Sequence, residues 1–135
     1  MNRCAQLSLA LALAGTLAAL APAPAAAQGV VKRNFPQAAL RGKISFGTPP
    51  AITLNGNAAH MATGYRVHGL NNLLMMSGQL VGGTFVVDYT TDMQGQVFEV
   101  WLLSAAEVAN KPWPRTPAET AAWTFDPVAQ TWTKP

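Results

Sequence analysis

Thr84-Phe85-Val86-Val87-Asp88-Tyr89-Thr90-Thr91 and Gln96-Val97-Phe98-Glu99-Val100-Trp101-Leu102-Leu103-Ser104 decide the fold. Both runs are rich in β-branched and aromatic residues, and Asp92-Met93-Gln94-Gly95 joins them. Asp at the first position and Gly at the fourth suit a type I turn, so the two runs read as a long β-hairpin. Its register has two candidates. A four-residue loop sets Asp88 opposite Glu99. A three-residue loop with a bulge at Gly95 sets Tyr89 opposite Glu99 and Val87 opposite Trp101. The second is favoured because it avoids facing two carboxylates. The second strand is apolar on both faces, with Phe98, Val100 and Leu102 on one and Val97, Trp101 and Leu103 on the other. A strand of that kind must be covered on both sides.

Upstream, Leu40 to Phe46 alternates apolar Leu40, Ile44 and Phe46 with polar Arg41, Lys43 and Ser45, as a half-buried strand does. Thr48-Pro49-Pro50 ends it, since proline cannot donate to a ladder. Asn55-Gly56 is a type I′ hairpin signal. It pairs Leu54 with Asn57 and Ile52 with Ala59, and puts Thr53, Ala58 and His60 on the other face. Thr63-Gly64 reads as a break before a short strand over Tyr65 to His68. Leu73 to Met76 reads as a strand or a buried turn.

Downstream, Ser104 and Glu107 have the spacing of a helix capping box. Pro117 near the start of a short helix ending by Trp123 is also well placed. Phe125 to Pro135 reads as irregular. Short strands with a turn signal every ~8–12 residues indicate a sandwich or small barrel. The strands between Leu40 and Ser104 are too few for a sandwich. The predicted fold is therefore an all-β small barrel of five to six strands, OB-like or SH3-like, with an irregular Pro/Trp-rich C-terminal arm and short helical turns.

The N-terminus has the three parts of a secretory signal peptide: Arg3, an apolar run from Leu7 to Leu20, and a small-residue stretch ending Ala25-Ala26-Ala27. The run is shorter than the ~20 residues of a spanning helix, and Pro22 and Pro24 end it. The predicted organisation is a signal peptide over 1–27, a lead-in over 28–38, a barrel over 39–104, and an arm over 105–135 packing on the barrel. Periplasmic export, with no stable membrane anchor after cleavage, follows as the expectation. The single cysteine, Cys4, falls in the leader, so the mature chain is read as thiol-free. Without Arg3 the chain keeps eight basic and six acidic residues, too weak a balance for the dense basic stripe of a nucleic-acid binder.

Arg33-Asn34-Phe35-Pro36, Ala51-Ile52-Thr53-Leu54-Asn55-Gly56, Asn71-Asn72-Leu73-Leu74-Met75-Met76-Ser77-Gly78 and Val100-Trp101-Leu102-Leu103 before a Trp-Pro tail resemble a family of small uncharacterised exported proteins of proteobacteria. The resemblance spans nearly the whole mature chain. It implies export and carries no activity, cofactor or site residue.

No catalytic constellation assembles from the sequence. Ser45, Ser77 and Ser104 lack a nucleophile-elbow context, and Asp92 and Glu107 have local turn and cap roles. The soft-ligand candidates are His60, Met61, His68, Met75 and Met76, which would suit Cu(I) in a periplasm. Against that, the methionines suit a core, and both histidines alternate onto polar faces. Trp113, Trp123 and Trp132 could present a sticky surface to an outside partner. The favoured reading is that they cover the outer face of the strand holding Trp101, with Trp113 and Trp123 as the expected contacts, because that strand needs a cover. The ranked readings are a non-catalytic binding or interaction module of the cell envelope with no cofactor, then a His/Met copper handler, then a small enzyme. The partner is an unspecified protein or envelope component.

Overall fold

The computed structural model describes residues 32–135, so the signal-peptide assignment and the start of the lead-in lie outside the described residues. The fold is a small all-β barrel. Strands β1 (Leu40–Phe46), β2 (Ala51–Leu54) and β3 (Asn57–His68) form a meander. Asn55 and Gly56, both at positive φ (52° and 84°), make the tight turn between β2 and β3. They pair Leu54 with Asn57 and Ile52 with Ala59 as expected. After a two-residue strand β4 (Leu74–Met75) and a 3₁₀ turn (Ser77–Leu80), β5 (Thr84–Thr91) and β6 (Val97–Leu102) form the long hairpin. β5 pairs antiparallel with β1, and β6 runs parallel to the second half of β3. That closes five strands in the order β1-β2-β3-β6-β5, with β4 added on β3. The one parallel closure makes the barrel OB-like rather than SH3-like.

Two expectations about local geometry are corrected. β3 does not break at Thr63-Gly64 but continues through it, with Gly64 at φ 76° and a register shift between Met61 and Arg66. The physical reason is that β3 serves two partners, pairing with β2 over its first half and β6 over its second. A bend at a glycine changes partners without ending the strand. The hairpin register also differs. Next to the turn, Thr91 faces Val97, as a three-residue loop with Gly95 at φ 79° demands. One residue on, a bulge at Phe98 slips the ladder, so Glu99 faces Thr90 and Asp88 faces Trp101. Val97 thereby joins Val100 and Leu102 inside the barrel. Phe98 leaves that face and lies half-buried with the Arg66 guanidinium 5.7 Å over its ring.

The barrel interior is mainly aliphatic, built on Ile44, Val67, Val87, Val97 and Val100, with Leu40, Phe46, Ile52, Met61, Tyr89 and Leu102 around them. A second, aromatic cluster buries the other face of β6: Phe35, Ala39, Trp101, Trp113 and Trp132, with Trp123 and Phe125 partly buried against it. The arm therefore covers Trp101. Trp113 is buried in that cluster and Trp123 packs against it, as expected, and Trp132 joins them as a further buried member. Trp123 caps helix α2 (Pro117–Ala122) by donating its backbone N–H to Glu119, which leaves its ring half-buried at the rim. Helix α1 (Ala105–Ala109) carries the expected capping box of Ser104 and Glu107.

The segment read as irregular after Phe125 is in fact a small hairpin, β7 (Thr124–Asp126) against β8 (Thr131–Thr133). The Asp126 side chain accepts from Val128 and Ala129 N–H groups and Gln130 takes φ 55°, which together make the turn. Phe125 then faces Trp132.

The lead-in is also more than a connector. Arg33 and Phe35 are buried. Arg33 donates to the carbonyls of Gly69 and Leu102 and pairs with Glu107 at 2.5 Å. Burial pushes the Glu107 carboxyl up, but the Arg33 bonds and the Ser104 backbone N–H outweigh it and hold it below the ordinary glutamate range.

Candidate functional site: a cationic groove between barrel and arm

The site grows from Arg41. Its place in the alternation of β1 assigns it to a solvated face, yet Arg41 is 6 % exposed and Asp88 fully buried. Arg41 Nε and Nη2 donate to the two Asp88 carboxylate oxygens at 2.9 and 3.2 Å, and Nη1 donates to the Asn110 carbonyl at 2.7 Å. The guanidinium plane lies 4.8 Å over the Trp113 ring, a favourable cation–π placement. Trp113 Nε1 in turn donates to the Ala39 carbonyl at 3.1 Å. Burial pushes the Asp88 carboxyl up to about 6 against the pull of the Arg41 hydrogen bonds and charge. The polar pair is thus what lets the arm close over the outer face of β1 and β5.

Above this floor run two cavities that share Arg41, Lys111 and Arg115. One, of about 480 Å³, is walled by Pro112, Trp113 and Trp123 with Glu119 and Lys134 at its edge. The other, of about 450 Å³, is floored by Gly42, Val86 and Val108 and edged by Lys43 and Asn55. Gly42 is required there. A Cβ on it would sit 2.9 Å from the Tyr89 ring and 3.0 Å from Asn55 Oδ1. Asn55 uses that oxygen to accept the Lys43 backbone N–H at 2.9 Å. Lys134 Nζ is held 5.0 Å over the Trp123 ring.

The groove concentrates charge that the composition dilutes. Five of the eight described Lys and Arg residues line it: Arg41, Lys43, Lys111, Arg115 and Lys134. Against them stand Glu119 and the Asp88 paired with Arg41, which leaves three net positive charges. The rest of the described residues carry one net negative charge. Among the described residues the ion pairs are Arg33–Glu107, Arg41–Asp88 and His68–Glu99. Lys43, Lys111, Arg115 and Lys134 are therefore exposed cations with no acidic partner.

The histidine and methionine candidates do not converge. His60 is exposed while its neighbour Met61 is buried in the barrel. His68, expected on a solvated face, is half-buried, stacked on Trp101 at 5.4 Å and 10°, with Nε2 2.8 Å from Glu99. It is drawn in because β6 runs alongside it, with His68 in register with Trp101. Met75 and Met76 share a separate cavity of about 530 Å³ with Tyr65 and Ser77, whose hydroxyls are 2.5 Å apart. Leu74 and Met76 are 64 and 76 % exposed, so the buried-turn alternative for Leu73 to Met76 does not hold. No group of three or more His, Cys, Asp or Glu among the described residues is placed to hold a metal ion. Of the tryptophans, Trp113 and Trp123 wall the groove and Trp132 is core.

The outer β2–β3 face, which carries oligonucleotides and oligosaccharides in many OB barrels, presents Thr53, Ala58 and His60 to solvent here. The cationic groove lies instead on β1 and β5, where the arm meets the barrel. Sequence reasoning missed it because its cations are scattered from Arg41 to Lys134. The signal that could have found it is the run Lys111-Pro112-Trp113-Pro114-Arg115, two cations flanking a tryptophan between prolines. Comparison with protein-family models, with curated proteins and with solved structures returned no match.

Proposed function

We propose that this chain is an exported, periplasmic, non-catalytic binding module of the cell envelope that seats an anionic ligand in the groove between barrel and arm. One observation carries the reading: four unpaired cations edge a groove whose floor is a buried arginine hydrogen-bonded through all three of its guanidinium nitrogens. Exposed like charges repel, so gathering them in one place costs stability unless an anion joins them. The groove offers no nucleophile beside a base, and its acids are engaged: Asp88 by Arg41, and Glu119 by the Arg115 backbone N–H at 2.6 Å. Export rests on the three-part leader over 1–27, with cleavage between Ala27 and Gln28.

The test replaces Lys111 and Arg115 together with Glu. Both side chains are exposed and their like-charge repulsion is relieved, so the melting temperature is expected to hold or rise, while retention on a cell-envelope fraction falls at low salt. Equal retention of the variant and the parent overturns the groove as the binding site. N-terminal sequencing of periplasmic material is expected to start at Gln28; an uncleaved protein overturns the export reading.

A further inference from the structure

The groove is not uniformly polar, and its apolar part narrows the ligand. One lobe is walled by Pro112, Trp113 and Trp123, and the other is floored by Gly42, Val86 and Val108. Cations edge both lobes, and Arg41, Lys111 and Arg115 are common to the two. We infer that the ligand is an acidic glycan, a chain of sugar rings bearing repeated carboxylate or sulfate groups, laid along both lobes. This rests on the anion-binding reading of the same groove.

Three features carry the inference. First, two adjacent lobes with shared cations suit a chain with charge at intervals rather than a single anion. Second, a sugar ring presents apolar C–H groups and hydroxyls together. It can lie against Val86, Val108 and the Trp123 rim while its acid groups meet Lys43, Lys111, Arg115 and Lys134. Polyphosphate has no apolar surface to offer those walls. Third, nucleobases bind by stacking on open aromatic faces, and the two indoles here are engaged. Trp113 is buried under Arg41, and Trp123 is half-buried with Lys134 over its ring. The Asn55 side chain, fixed at the edge of the second lobe through its oxygen, leaves its amide N–H₂ to donate to a hydroxyl or carboxylate.

Titration calorimetry at low salt with four probes of matched length tests this on the purified protein: an oligogalacturonate, a neutral gluco-oligosaccharide, inorganic polyphosphate and a single-stranded oligonucleotide. The oligogalacturonate is expected to bind at least about tenfold more tightly than each of the others, a difference of about one decade in Kd. Lys111→Glu is expected to weaken it by about tenfold or more, and Trp123→Ala to weaken it while leaving the polyphosphate value unchanged. Lys134→Gln, at an exposed position, tests the charge at the rim independently of Trp123 and is expected to weaken the oligogalacturonate and the polyphosphate alike, severalfold. Polyphosphate or oligonucleotide binding as tightly as the oligogalacturonate overturns the glycan while leaving the anion site standing. Equal binding of the neutral sugar, or no binding by any anionic probe, overturns both.

Discussion

The two faces of β6 are solved by different chemistry. Inside the barrel, Val97, Val100 and Leu102 meet Ile44, Val67 and Val87, all aliphatic and all drawn from strands. Outside, Trp101 meets Phe35, Trp113 and Trp132, which come from the lead-in and the arm. The inner face closes by a ladder and needs only alternation. The outer face closes by aromatic edges, with Phe35 5.9 Å from Trp101 and 5.8 Å from Trp113, both near perpendicular. It also encloses polar anchors, Arg33–Glu107 and Arg41–Asp88. The lesson is that the outer cluster depends on a few large contacts and on satisfied charges, whereas the inner one spreads its stability over many small ones.

Replacing the tryptophan between the two is the hardest blow to that contrast. Trp113→Ala removes a buried indole, its bond to Ala39 and the cover over Arg41. It is expected to cost about 4 kcal/mol, within the range for buried aromatics, measured by chemical denaturation. A cost under about 1 kcal/mol would show that the arm is held elsewhere.

Arg41→Met comes next. It strands the buried Asp88 carboxylate, and losing one partner of a buried pair costs ~3 kcal/mol or more at neutral pH. The pH response fixes its cause. Burial already raises Asp88 to about 6, and without Arg41 it rises further. Stability tied to a raised carboxyl is fully present below the unfolded value of 3.8 and is lost as pH rises through the folded value. The deficit of the variant is therefore expected to shrink between pH 7 and pH 5. A deficit independent of pH would assign the loss to packing.

Trp123→Ala sharpens the boundary of the outer cluster. Its ring is only half-buried, so about 1–2 kcal/mol is expected, less than for Trp113. Equal costs would mean that the rim is core.

His68→Gln is the smallest change. The imidazole stacks on Trp101 and meets Glu99 at 2.8 Å. About 1 kcal/mol is expected, more than the ~0.5 kcal/mol ceiling of a plain surface substitution. A shift inside that ceiling would mean the stack contributes nothing.

The same contrast explains what was legible. The turns at Asn55-Gly56 and Asp92–Gly95, the capping box at Ser104 and Glu107, and the small barrel itself follow from neighbouring residues. The bulge at Phe98 does not. It is invisible to period-two reading because a single extra residue exchanges the faces of everything before it. The burial of Arg33 and Arg41 was equally hidden, since an arginine, in a lead-in without periodicity or on the polar side of an alternating strand, reads as solvated until a partner 74 or 47 residues away is placed beside it. The groove inherits that difficulty: Lys43 and Lys134 meet at one site only because β1 and the arm do.

By itself the sequence determined the elements whose causes are local: hairpin turns, caps, strand alternation, and the demand that β6 be covered twice. Tertiary structure alone decided which chain covers it, which charges are paired, and where the unpaired ones gather. The physical reason is range. Turn dihedrals and helix caps are satisfied within about four residues of their own positions. Aromatic cover and ion pairing are satisfied across space, by whichever distant segment the closed barrel leaves within reach.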